Sequence, residues 1–198
     1  GITPDNYVLL GAFVDKGVVD QYKETLDAER FSPIVFEFPS LALTRLIGRV
    51  MGSGTASVLI FQISTDGLDL LIFRNGSLYF DYFRSWGSIQ GEGKEISRNV
   101  FEDVVAQEVK KVINFTMSRF KETPEQVFLI APGFEKEVQE FLERRFSLRS
   151  VMLELRSWSL PSSWYVSLGA ALRGTTTGKN DIAISLGPLS PSELFYEQ

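Results

Sequence analysis

The chain of 198 residues contains no cysteine and no histidine. Their absence removes disulfides, thiolate nucleophiles, serine–histidine triads and nearly every zinc site. Any metal would be a hard cation such as Mg²⁺ held by carboxylates. No apolar run reaches the ~20 residues that cross a bilayer, and no charged-then-apolar leader opens the sequence. Basic residues are also short: 20 Lys and Arg face 25 Asp and Glu, a net charge of −5. Nucleic-acid binding needs a concentrated cationic face. The longest basic cluster, Arg144 and Arg145 with Arg149, is flanked by Glu140 and Glu143 and reads as a solvated helix end. The apolar share of 44% and charged share of 23% are those of a globular domain with a sizeable core.

The periodicity predicts strand, helix, strand, helix over Tyr7–Val14, Lys16–Ala28, Ser32–Phe38 and the stretch after Pro39, with Leu43, Leu46, Ile47 and Val50 on one helix face. Gly52, Ser53 and Gly54 then mark a boundary. Three strands follow, Ser57–Ser64, Leu68–Arg74 and Ser77–Arg84, with tight turns expected at Asp66-Gly67 and Asn75-Gly76. A long helix over Glu95–Lys121 precedes a strand at Gln126–Ala131, a helix striped by Phe134, Val138, Phe141 and Leu142, a strand at Ser150–Leu155 and a last helix over Ser162–Leu172.

The second part thus reads β-β-β-α-β-α-β-α: an antiparallel meander extended by parallel strands. That is the α/β, ribonuclease H-like topology of certain nucleases and of each half of actin-like ATPases, a mixed sheet with helices on both faces. The expected organisation is a partial first actin-like subdomain over 1–54, a ribonuclease H-like subdomain over 55–174 and a flexible tail over 175–198.

The chemistry of that topology can be tested on its first strand. The nucleases need a mid-strand aspartate there for paired Mg²⁺ ions, and SVLIFQIS offers only Gln62. Asp66 reads as a turn residue. Actin-like ATPases instead bring glycine-bearing hairpins against phosphates, and use a later glycine pair at the adenosine.

Four stretches carry a family resemblance: LGAFVDKGVVDQYKETLDAERFSPIVFEFPSLALTRLI, SVLIFQISTDGLDLLIFRNGSLYFDYFRSWG, QVFLIAPGFEKEVQEFLERRF and VSLGAALRG. Together they resemble PilM-like assembly proteins of type IV pili and the cytoplasmic part of the secretion protein GspL. Against the D-x-G of ATP-binding members the chain has Gln62, Ile63 and Ser64. Against their paired adenosine-loop glycines it has Ala131, Pro132 and Gly133. Proline lacks an N–H and fixes φ, which hinders a loop that must fold over a nucleoside.

The resemblance implies a non-catalytic scaffold, a pseudo-ATPase that docks protein partners of an inner-membrane assembly platform from the cytoplasmic side, with no cofactor and no nucleic acid. It leaves homo-oligomer formation open, and implies a parent protein that continues past Gln198 into a membrane anchor. The alternative is an ATP-binding protein or ATPase whose first phosphate loop lies outside this chain; Thr65, Asp66, Gly67 and Gly133 would then face Mg-ATP. A sugar-kinase-like half is disfavoured, because no sugar-binding or catalytic carboxylate stands out. Tyr79, Tyr82, Phe83, Trp86, Trp158 and Trp164 are candidates for a partner surface. In the tail, Ile182 and Leu186 belong to an apolar–proline stretch that resembles a docking peptide.

Overall fold

A computed structural model describes residues 13–33, 35–51, 57–90, 97–153, 155, 160–175 and 185–186. The chain divides into two compact units, residues 1–39 with 174–198, and residues 40–173. The sequence boundary expected at Gly52–Gly54 lies outside the described residues.

In the first unit, helix α1 (Lys16–Ala28) starts where the Asp15 carboxylate accepts a hydrogen bond from Gly17 N at 2.7 Å. It ends at Arg30 in the left-handed region (φ 64°), and Phe31 N donates to Leu26 O. Only Val19 of α1 is buried. The strand expected over 7–14 falls mostly outside the described residues, and Phe13 and Val14 are exposed coil. The strand expected over Ser32–Phe38 carries no ladder among the described residues, although Phe36 O accepts from Leu186 N at 2.7 Å.

The second unit is built on a five-stranded sheet in the order β3-β2-β1-β4-β5. Strands β1 (Val58–Ile63), β2 (Gly67–Arg74) and β3 (Ser77–Ser85) form the antiparallel meander; β4 (Gln126–Ile130) and β5 (Ser150–Met152) run parallel to β1. Because side chains alternate across a strand, β1 feeds two cores. Leu59 and Phe61 join Leu68, Leu70 and Ile72 under α4 (Arg98–Phe120) and α5 (Glu135–Phe146). Val58 and Ile60 join Leu71 and Phe73 under α2 (Pro39–Met51), with Tyr165 of α6 (Tyr165–Arg173) in the same core. Leu59, Ile60 and Phe61 are fully buried, each worth about 1.5–3 kcal/mol relative to exposure.

Sequence signals explain most of these boundaries. Asn75 (φ 50°) and Gly76 (φ 77°) make the expected two-residue type I′ turn between the Arg74–Ser77 pair. Ser97 caps α4 by accepting from Val100 N. Three details differ from expectation. A short helix, α3 (Trp86–Gln90), follows β3 directly. Strand β5 stops at Met152 rather than Leu155, since the Leu153 carbonyl is taken by the Tyr165 hydroxyl at 2.6 Å. The last helix opens with a 3-10 turn over Ser162–Trp164 before α6 begins.

Helices α2 and α6 meet backbone to backbone at Gly169, where an added Cβ would lie 2.0 Å from Ala42 O. Arg45 clamps the same crossing by donating to Gly169 O at 2.8 Å. Gly169→Val should therefore force the helices apart and lower stability by about 1–3 kcal/mol, read as a reduced urea midpoint with an unchanged slope. Gly76→Ala has open space around its Cβ but must hold a left-handed backbone (φ 77°), and should cost about 1 kcal/mol in the same assay.

Candidate functional site

The β1–β2 loop, the start of α4 and the loop before α5 converge at one end of the sheet. They enclose a cavity of about 690 Å³ lined by Ser64, Trp86, Phe101, Glu102, Phe134 and Glu137, among others. None of the four nucleotide-facing residues read from the sequence lines it, although their neighbours Ser64 and Phe134 do.

Gly67 is the first residue of β2 rather than part of the turn, and its φ is not positive. The expected Asp66-Gly67 turn is therefore centred one residue earlier, on exposed Thr65 and Asp66, and is closed by Ser64 N donating to Gly67 O at 2.9 Å. The need for glycine at 67 comes from packing: a Cβ there would lie 2.2 Å from Arg84 O on β3. Two of the loop amides are already engaged. Asp66 N and Gly67 N both donate to the Ser64 hydroxyl at 3.2 Å. From the other side, Trp86 Nε1 donates to Ser64 O at 2.9 Å and Trp86 N to Asp66 O at 3.0 Å. The loop is thus tied to the head of α3.

Gly133 sits in a different turn. Pro132 and Gly133 (φ 83°) are the central pair of a type II turn closed by Phe134 N donating to Ala131 O at 2.7 Å. Gly133 N donates to Glu135 Oε2 at 2.9 Å. Glu135 and Glu137 occupy the first turn of α5, where they complement the helix dipole and repel an incoming phosphate. Beside them, Glu102 binds Arg98 (3.0 Å) and Arg144 (2.9 Å), which hold its carboxyl below the usual carboxylate range, Arg98 foremost. Thr65, Asp66 and Gly67 thus share one loop and Gly133 another, and the amides of Asp66, Gly67 and Gly133 are each taken by a side chain of the protein.

Gln62 lies directly opposite Asp69 in the β1–β2 register. Burial, then the charges of Asp81 and Asp66, push the Asp69 carboxyl up to about 6. Burial also raises Asp81, with the Ser40 hydroxyl opposing. An aspartate at 62 would set a second carboxylate about 5 Å from a strained one. The neutral amide is what this acid-rich face accommodates. Among the described residues no acidic group has metal-binding spacing.

The remaining sequence candidates separate. Trp158 and Ile182 lie outside the described residues. Trp164 is exposed. Leu186 is half-buried within the first unit through its hydrogen bond to Phe36. Of the aromatics, Tyr79, Tyr82 and Trp86 pack against the core under α4, with Tyr79 edge-on to Phe120, while Phe83 is half exposed. Sequence reasoning missed Ser64 as the group that fills the loop, although a hydroxyl two and three residues ahead of free amides is a known turn signal. The pairing of Glu135 with Gly133 had no comparable signal.

No helix among the described residues is long and apolar enough to cross a membrane. No family model and no curated protein sequence matches the chain. Solved structures do. A chain of the PilM–PilN type IV pilus biogenesis complex is similar over 80% of this chain, with a TM-score of 0.63 and 15% identity. The ethanolamine utilization protein EutJ from Carboxydothermus hydrogenoformans is similar over 81%, with a TM-score of 0.52 and 11% identity. The similarity spans 58% and 62% of those two chains respectively. The fold is the actin-like, ribonuclease H-like one expected from the order of elements, and the PilM resemblance holds at the level of fold.

Two outcomes test this geometry. In the folded state Asp69 binds a proton that the unfolded chain has already lost between about pH 4 and 6. Stability should therefore fall as pH rises through that window. In Asp69→Asn this fall should flatten and stability at pH 7 should rise, as followed by urea unfolding across pH. Separately, Ser64→Ala leaves two loop amides without their acceptor and should cost about 1–2 kcal/mol, whereas Thr65→Ala, at an exposed turn position, should be near neutral in the same assay.

Proposed function

We propose that the chain acts as a non-catalytic scaffold in a PilM-type assembly, using the actin-like fold to dock protein partners rather than to hydrolyse ATP. The observation that carries this reading is the occupation of both nucleotide loops by the protein itself: the Ser64 hydroxyl takes the amides of Asp66 and Gly67, and Glu135 takes that of Gly133. The acidic start of α5 adds repulsion toward phosphate. By analogy with the PilM–PilN type IV pilus biogenesis complex, the partner is a second component of a pilus assembly platform; the place of action that the sequence resemblance implies is the cytoplasmic face of the inner membrane.

A second reading is favoured by one feature. The cavity of about 690 Å³ beside the β1–β2 loop falls within the usual volume range of small-ligand sites. It would suit an ATP-binding protein or ATPase whose first phosphate loop lies outside this chain, with Thr65, Asp66, Gly67 and Gly133 toward Mg-ATP.

Titration calorimetry with Mg-ATP separates the two. The scaffold reading expects no binding heat at a nucleotide concentration of about 100 µM. Binding at about 10 µM, weakened by Asp66→Ala and accompanied by phosphate release, would establish the enzyme reading instead.

A further inference from the structure

We propose that the open edge of β5 is a docking site for an extended segment of a partner protein, with apolar and acidic side chains on one face, which joins the sheet as a sixth strand. The proposal deepens the scaffold reading and rests on it for the nature of the partner. The site is distinct from the nucleotide loops.

Among the described residues, strand β5 ends the sheet and pairs only with β4. Arg149 O accepts from Val127 N at 3.0 Å and so faces β4. Backbone groups alternate in direction along a strand, which turns the N–H and C=O of Ser150 and Met152 outward. No other described segment pairs with them. Natural edges are usually blunted by a lysine, a proline or a covering element; β5 carries neither residue, and Met152 is 47% exposed.

A trough of about 1150 Å³ runs along this edge. Leu46, Val50, Phe128 and Leu172 give it an apolar lining, and Val50 is itself exposed. Ser150 also lines it; the residue is 6% exposed and its hydroxyl has no hydrogen-bond partner. The charges are asymmetric. Arg49 and Arg149 line the trough and make no ion pair among the described residues, while Glu143 on the same wall accepts from Gln139 at 3.0 Å. Strand addition supplies affinity through the main chain and specificity through alternate side chains. Leu46, Val50, Phe128 and Leu172 lie on the α2 face of the sheet, as do Arg49 on α2 and, by alternation from Val151, Arg149. Apolar side chains and carboxylates carried on one face of the added strand would enter the trough together, the carboxylates meeting two guanidinium groups suited to forked pairing.

The test uses the full chain and a fluorescein-labelled eight-residue peptide with valine and glutamate taking turns along one face and serine at every second position, with a peptide carrying lysine in place of glutamate as control. Fluorescence anisotropy should show binding of the acidic peptide only. The double variant Arg49→Glu/Arg149→Glu should weaken it at least tenfold. Met152→Pro, which deletes an outward N–H and spares the ladder to β4, should abolish it, and the amide resonances of Ser150 and Met152 should shift on peptide addition. If Met152→Pro loses its cooperative unfolding transition, the arginine pair and the resonance shifts decide alone. Equal binding of both peptides, or acidic binding indifferent to the arginine variants, overturns the proposal. So does a dimer in sedimentation that the acidic peptide fails to dissociate. Mg-ATP binding without any effect on peptide binding would overturn only the nucleotide-free reading and leave this site standing.

Discussion

Burial of β1 on both faces is the constraint from which the second unit is organised. Its odd and even residues cannot reach the same core, so Leu59 and Phe61 commit one layer of helices while Val58 and Ile60 commit the other. Its two neighbours are fixed by the same strand, antiparallel β2 on one side and parallel β4 on the other. A slip of one residue in this register would exchange every side chain between the cores. The loops at the end of β1 inherit their placement from it, including the site where a nucleotide would be judged.

At that end of the sheet the loops are held by internal contacts. A hydroxyl occupies one loop, a carboxylate the other, and an indole staples the first loop to α3. Each contact satisfies a backbone group that would otherwise need water or a ligand. The glycines survive for separate reasons. Gly67 accommodates the approach of β3, and Gly133 supplies the positive φ of a type II turn. Their presence reports backbone geometry and carries no information about nucleotide.

Much of this was legible in the sequence because the signals are local. Asn75-Gly76 specifies its own turn, the stripe over α4 specifies a buried face, and the short apolar run SVLIFQIS is what a strand covered on both sides requires. What escaped depends on distant partners. The Asp66-Gly67 reading failed by one position because Gly67 answers to Arg84 on another strand. The early end of β5 depends on the Tyr165 hydroxyl, twelve positions later. Gln62 stood out in the sequence against D-x-G, and its place opposite Asp69 across the strand pair became visible only with the register.

The type I′ turn at Asn75-Gly76 has a consequence for the order of assembly. It joins two strands that are adjacent in the chain, so the β2–β3 ribbon closes with almost no loop-entropy cost. Pairing of β1 with β4 must wait for the whole of α4 to be spanned. Low-separation contacts form fastest, which makes the meander the early template and β4 and β5 late additions to it. The least committed strand in the folded protein is thus also the last to be laid down, and during synthesis its edge emerges after everything that could have covered it from the N-terminal side.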